Sequence, residues 1–157
     1  MTSTDEENRY QITLHAENLP NRRWFGRACP YAKVKITTGP KKGTVVGQTE
    51  PATKELSPDW TTTMFLNFTD AEVTNLEVTI FDYRGENAQD QWLGEANFEA
   101  TSVFQSPGRT QSQQIGRSES SKLFCHIEKS FQGPDRGQLQ LHLRGKCVCV
   151  CVKQENC

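Results

Sequence analysis

Apolar and polar residues alternate with a period of two along most of this chain. In YQITLHAEN (10–18) Ile12, Leu14 and Ala16 fall on one side, and in AKVKIT (32–37) Val34 and Ile36 lie opposite Lys33 and Lys35. Successive side chains of an extended chain point to opposite faces, so each segment is expected to be a strand with one face in a core and one in water. GTVVGQT (43–49) follows a Gly-Pro-Lys-Lys-Gly turn and should close a hairpin with the strand before it. DWTTTMFLNF (59–68), NLEVTIFD (75–82), WLGEANFEA (92–100), KLFCHIE (122–128) and QLQLHLR (138–144) continue the series, with Leu139, Leu141 and Leu143 as the last alternating face. No long helical pattern interrupts these eight segments, and Gly, Pro and Asn turns separate them. The pattern therefore predicts an all-β chain folded as an eight-stranded antiparallel β-sandwich. The polar stretch SPGRTQSQQIGRSESS (106–121) reads as a mobile loop between the sixth and seventh strands. There is no internal repeat.

Composition narrows the function classes. A chain of 157 residues, 34% hydrophobic and 24% charged, has the length and apolar content of one folded domain. Its formal net charge of -1 gives no overall attraction to nucleic acid, so no nucleic-acid partner is expected and any electrostatic role must be local. No stretch approaches the roughly 18 apolar residues of a membrane span, and the N-terminus MTSTDEENRY is acidic, unlike a secretory signal. An intracellular, cytoplasmic location is expected. Three of the 6 cysteines, Cys147, Cys149 and Cys151, are two apart, a spacing that on a strand points them the same way and disfavours bridges among them.

Landmarks in the right order carry a family resemblance. LHAENLP, FGRACPYAKVKI, QTEPATKELSPDW, LEVTIFDYR and DQWLGEANF together resemble a C2 domain over roughly Tyr10 to Arg144, with VGQTEPATKELSPDW and SVFQSPGR more loosely similar to the first C2 domain of copines. The resemblance implies a Greek-key sandwich in the permuted type II strand order, starting at ITLHAENLP and ending at GQLQLHLR. It also implies a domain layout of a flexible N-terminus (1–9), a C2 domain (10–144) and a Cys-rich tail (145–157). Trp60 and Trp92 match family core positions and are expected to pack inside.

The family's characteristic chemistry is calcium-dependent membrane docking by clustered aspartates in two end loops, since Ca²⁺ takes about six to eight oxygen ligands. Here the first loop's aspartate positions fall on Arg23 and Cys29, and the third loop's on Asp82, Arg84 and Gln91, so only Asp82 is kept. Glu86 and Asp90 are the weak alternative metal candidates, through a register shift, but Arg84 lies between them and Asp82 and opposes a cation. Calcium is therefore not expected as a cofactor, and Asp82 is expected to pair with Arg84 or Arg23.

In place of the metal, Arg22, Arg23, Arg27 and Arg84 can face lipid phosphate directly, with Trp24 and Phe25 seated at headgroup level. The alternative is that Trp24 or Phe25 folds back to cap the sandwich. Lys33, Lys35, Lys41 and Lys42 form a second basic cluster, read either as a phosphoinositide-binding face or as a merely solvated strand face. In the tail GKCVCVCVKQENC, Cys147, Cys149 and Cys151 beside Lys146 and Lys153 are candidates for acylation. Soft-metal binding and a plain chain end are the competing readings, and QENC is not a prenylation box. His15, His126 and His142 lack ligand spacing, and no catalytic constellation or phosphate-cradling loop occurs, so no enzyme is expected. The expected function is calcium-independent, peripheral binding to anionic phospholipid membranes. Its rivals are a protein-interaction C2 domain and residual calcium-dependent binding through Asp82, Glu86 and Asp90.

Overall fold

The computed structural model describes residues 7–131. Eight strands build two antiparallel four-stranded sheets. In chain order they are β1 (Asn8–Glu17), β2 (Pro30–Ile36), β3 (Val45–Gln48), β4 (Met64–Phe68), β5 (Asn75–Asp82), β6 (Gln91–Glu99), β7 (Thr110–Gln114) and β8 (Lys122–Lys129). One sheet has the order β4-β1-β8-β7 and the other β3-β2-β5-β6. The chain crosses between sheets after β1, β3, β4 and β6, as an antiparallel Greek-key sandwich does.

The expected alternation is what fills the space between the sheets. Tyr10, Ile12, Leu14 and Ala16 of β1 face Ala32, Val34 and Ile36 of β2 and Leu76, Val78 and Ile80 of β5, all buried. Burying a large aliphatic side chain contributes on the order of 1.5–3 kcal/mol, so this alternation is the main force that fixes each strand's register. Trp60 is buried as expected, and its indole N–H donates to the Pro30 carbonyl at 3.0 Å, which satisfies its one polar atom.

Three expectations are corrected. The segment 106–121 is not all loop: a 3-10 turn (Pro107–Arg109) leads into β7, which pairs with β8 from Thr110↔His126 to Gln114↔Lys122. Its residues are polar because β7 is an edge strand with neither face fully buried, and period-two reading finds only strands with a buried face. The chain reaches β7 through a short helix, α1 (Ala100–Gln105), whose N–H groups at Thr101 and Ser102 donate to the Glu99 carboxylate. The second correction is Trp92, which is 42% exposed. Phe81 pairs with Trp92 and Ile80 with Gly94, so Leu93 is the extra residue of a β-bulge. The bulge inverts the alternation, sending Leu93 into the core and Trp92 out. Third, the 59–68 segment is strand only over Met64–Phe68, its first residues forming the end of a loop. The segment expected as the last strand, 138–144, and the tail with Cys147, Cys149 and Cys151 lie outside the described residues.

Four connections gather at one end of the sandwich: 18–29, 49–63, 83–90 and 115–121. The β2–β3 hairpin turn, the 69–74 connection and α1 occupy the other end.

Candidate functional site

The first connection is built to project. Leu19 is buried and its N–H donates to the Leu56 carbonyl at 2.8 Å, which ties the loop's base to its neighbour. The Asn21 side-chain amide donates to the Gly26 carbonyl at 2.8 Å, and Gly26 takes φ +78, a left-handed conformation that glycine adopts without a Cβ penalty. Between these two points Trp24 is 100% exposed and Phe25 89% exposed. Neither folds back onto the sandwich. Arg22 and Arg27 are exposed beside them, and the Arg22 guanidinium lies 5.7 Å from the centre of the outward-turned Trp92 ring. Trp92 pairs with Phe81, which stacks on Tyr31 at 5.6 Å, so an aromatic strip continues from the tip down the outer face of the second sheet.

Arg23 points the other way. Its Nε donates to Asp82 Oδ2 and its Nη2 to Asp82 Oδ1, both at 2.8 Å, and Nη2 also donates to the Tyr83 carbonyl at 2.7 Å. Arg84 Nε donates to Asp82 Oδ2 at 3.0 Å, and the Cys29 backbone N–H to Oδ1 at 2.8 Å. Each carboxylate oxygen thus accepts two hydrogen bonds, which uses its full acceptor capacity. The Asp82 side chain is 0% exposed, against 17% for Arg23 and 33% for Arg84. Both arginines pair with Asp82, where either one was expected. Burial alone would push the Asp82 carboxyl up, but the Arg23 hydrogen bond, the Cys29 N–H and the two guanidinium charges outweigh it and hold it below its ordinary value.

Asp90 is also engaged. Its Oδ2 accepts from the Tyr31 hydroxyl at 2.6 Å and its Oδ1 from the Arg84 backbone N–H at 3.0 Å, which pins the 83–90 loop to β2. Burial, together with the bond to Asp90, raises the Tyr31 phenol above its usual range. Glu86 is exposed in the same loop. Nearby, the Glu50 carboxylate accepts from the backbone N–H groups of Thr61 and Thr62 at 2.6 and 3.2 Å and from both hydroxyls, bracing the 49–63 connection.

These residues do not fit a Ca²⁺ ion. Asp82 would have to release four donors, and the ion would then sit beside two guanidinium groups. Among the described residues no cluster of three or more His, Cys, Asp or Glu side chains could hold a metal ion.

The lysines are not gathered into one face. Lys33 and Lys35 project from the outer face of the second sheet, where Lys35 is opposite Glu77, and Thr79, opposite Lys33, is itself opposite Glu95. Carboxylates therefore interleave with the cations across that sheet. Lys41 and Lys42 lie on the hairpin turn at the far end, and Lys41 binds the Glu7 carboxylate and, at 3.2 Å, the Asn67 carbonyl. Sequence reading missed Trp92 as a tip residue. The adjacent apolar pair Trp92-Leu93 was the available signal, since two neighbours cannot both face one core without a bulge.

Comparison with known proteins agrees with the fold. The family model described as "C2 domain" matches residues 11–115. No curated protein sequence matches the chain. Among solved structures, a C2 domain of plant Extended Synaptotagmin 1 superposes with a TM-score of 0.60 at 13% identity, covering 80% of this chain and 97% of that one. The calcium-bound tandem C2 domains of Extended-Synaptotagmin 2 give 0.61 at 18% identity, covering 90% of this chain and 52% of that one. Human GIVD cytosolic phospholipase A2 gives 0.54 at 18% identity, covering 78% of this chain but only 17% of that one. At such identities the likeness is one of fold.

Proposed function

This chain belongs to the C2 domain family, and from that premise we propose that it is a non-catalytic module that docks peripherally on anionic phospholipid membranes without calcium. The observation that carries the reading is the division of labour in one loop: Trp24 and Phe25 stand fully out between Arg22 and Arg27, while Arg23 turns inward onto Asp82. Asp82, Arg23 and Arg84 together carry a net positive charge at the base of the 18–29 and 83–90 connections. A fixed guanidinium pair can hold the loops in place of an ion, so the tip is basic and ordered with no metal bound. Arg22 and Arg27 near an anionic surface supply about 2 kcal/mol between them, and the two rings add apolar burial at the headgroup level. That sum supports weak, reversible attachment. Glu86, exposed beside the tip, opposes it slightly.

Vesicle pelleting tests the reading. Binding should require phosphatidylserine, persist in excess chelator and weaken as salt rises through the Debye regime. It should fall roughly tenfold or more for Arg22→Glu/Arg27→Glu and severalfold for Trp24→Ser. Binding that needs Ca²⁺, or that is equal on neutral phosphatidylcholine vesicles, overturns it.

A further inference from the structure

At the end of the sandwich away from the tip, edge strands β3 and β4 border a groove of about 410 Å³ whose lining includes Arg9, Lys41, Val45, Phe65 and Asn67. β4 ends one sheet and β3 ends the other, so among the described residues each has a side with no strand beside it. The Lys41 ammonium donates to the Asn67 carbonyl, so that carbonyl faces the groove and not β1. Backbone groups of an antiparallel strand alternate in direction, which turns those of Phe65 the same way. An extended segment laid along β4 would find a hydrogen-bonding ladder there.

The charges say what kind of segment. The Arg9 guanidinium lies 4.2 Å from the centre of the Phe65 ring, at the lip of the groove, and Lys41 already holds a carboxylate, that of Glu7. Val45 and Phe65 are nearly half exposed and give the groove an apolar floor. Inward-facing carbonyl oxygens would repel a phosphate group but accept from peptide N–H groups.

We propose that this groove docks an extended acidic peptide of a protein partner, which adds as a strand to β4. Its carboxylates pair with Arg9 and Lys41, and its apolar side chains rest on Val45 and Phe65. Glu7 is a built-in competitor: it must leave Lys41, and Lys41 must leave Asn67, before the peptide seats. This site is independent of the lipid reading, because it lies at the opposite end of the domain and shares no residue with the tip.

The test is titration of the full chain with a fluorescent alternating Glu-Val peptide, with amide exchange followed by NMR. Saturable binding that weakens with salt is expected, with slowed exchange at the Phe65 and Asn67 amides. Affinity should fall roughly tenfold for Arg9→Glu/Lys41→Glu and rise about threefold for Glu7→Gln, the effect of freeing one exposed ion pair. Arg22→Glu/Arg27→Glu should leave peptide binding unchanged while weakening vesicle binding as above, so the two sites fail separately. Equal binding of a Lys-Val peptide, or no protection at Phe65 and Asn67, overturns the proposal. So does inositol hexakisphosphate binding in the groove more tightly than the peptide with the same dependence on Arg9 and Lys41.

Discussion

Among the described residues Asp82 is the one buried charged side chain. Sequence reading identified it as the surviving aspartate of a metal loop, and the structure makes it the anion of a sealed cluster with Arg23, Arg84 and the Cys29 N–H. Breaking a buried ion pair costs about 3–5 kcal/mol, but both guanidinium groups keep some water, which lowers the expected loss for Asp82→Asn to about 2 kcal/mol. Urea denaturation at neutral pH measures it. The pH dependence has a definite sign. The folded Asp82 carboxyl lies below its ordinary 3.8, so its stabilisation is fully present above that value and is lost as pH falls through the lower, folded value. The stability gap between wild type and Asp82→Asn should therefore be constant from neutral pH to about pH 5 and close only under strongly acid conditions. A gap that closes near neutral pH would show that the cluster is not what holds the loops.

Among the elements, β6 and β7 show where local pattern stops being sufficient. The Leu93 bulge places Gly94 so close to the residue after β7 that a Cβ there would lie 2.0 Å from Ile115 Cγ2. Glycine is needed here for space, since its backbone is otherwise ordinary strand. Gly94→Ala should cost about 1–3 kcal/mol by overpacking, and Ile115→Leu, which removes Cγ2, should recover part of that loss when combined with it. Chemical denaturation of the two single variants and the double variant measures the coupling. An additive double variant would mean that the strands relax apart without strain. Strands with one buried face, such as β1, β2, β5 and β8, were legible from alternation because the core selects it. β7 was not legible, because an edge strand with neither face fully buried leaves no such imprint.

For the described residues as a whole, the basic candidates divide between the tip, the hairpin turn and the sheet face between them. β2, with 7 residues, separates the tip from the hairpin turn by roughly 20 Å. A flat membrane cannot meet Arg22 and Arg27 at one end and Lys41 and Lys42 at the other if the domain stands upright. The outer face between them carries Glu77 and Glu95 among its lysines, which favours end-on docking through the tip. Lys33→Glu/Lys35→Glu should therefore weaken vesicle binding several times less than Arg22→Glu/Arg27→Glu, as read by pelleting at fixed salt. An equal or greater loss for the lysine pair would indicate side-on docking by the sheet.

The amino-acid sequence by itself determined the two-sheet architecture, most of the core and which residue types occupy the end loops. Alternation is a local property of an extended backbone, and the identity of a loop residue needs no tertiary information. Tertiary structure alone decided which way the arginines turn. Arg23 meets Asp82 across 59 residues of chain only because Pro30 and Asp82 are paired across β2 and β5, and that register brings the first loop's base over the end of β5. The same applies to Trp92, whose exposure depends on one extra residue in a ladder, and to the groove between β3 and β4, which exists because two sheets end side by side.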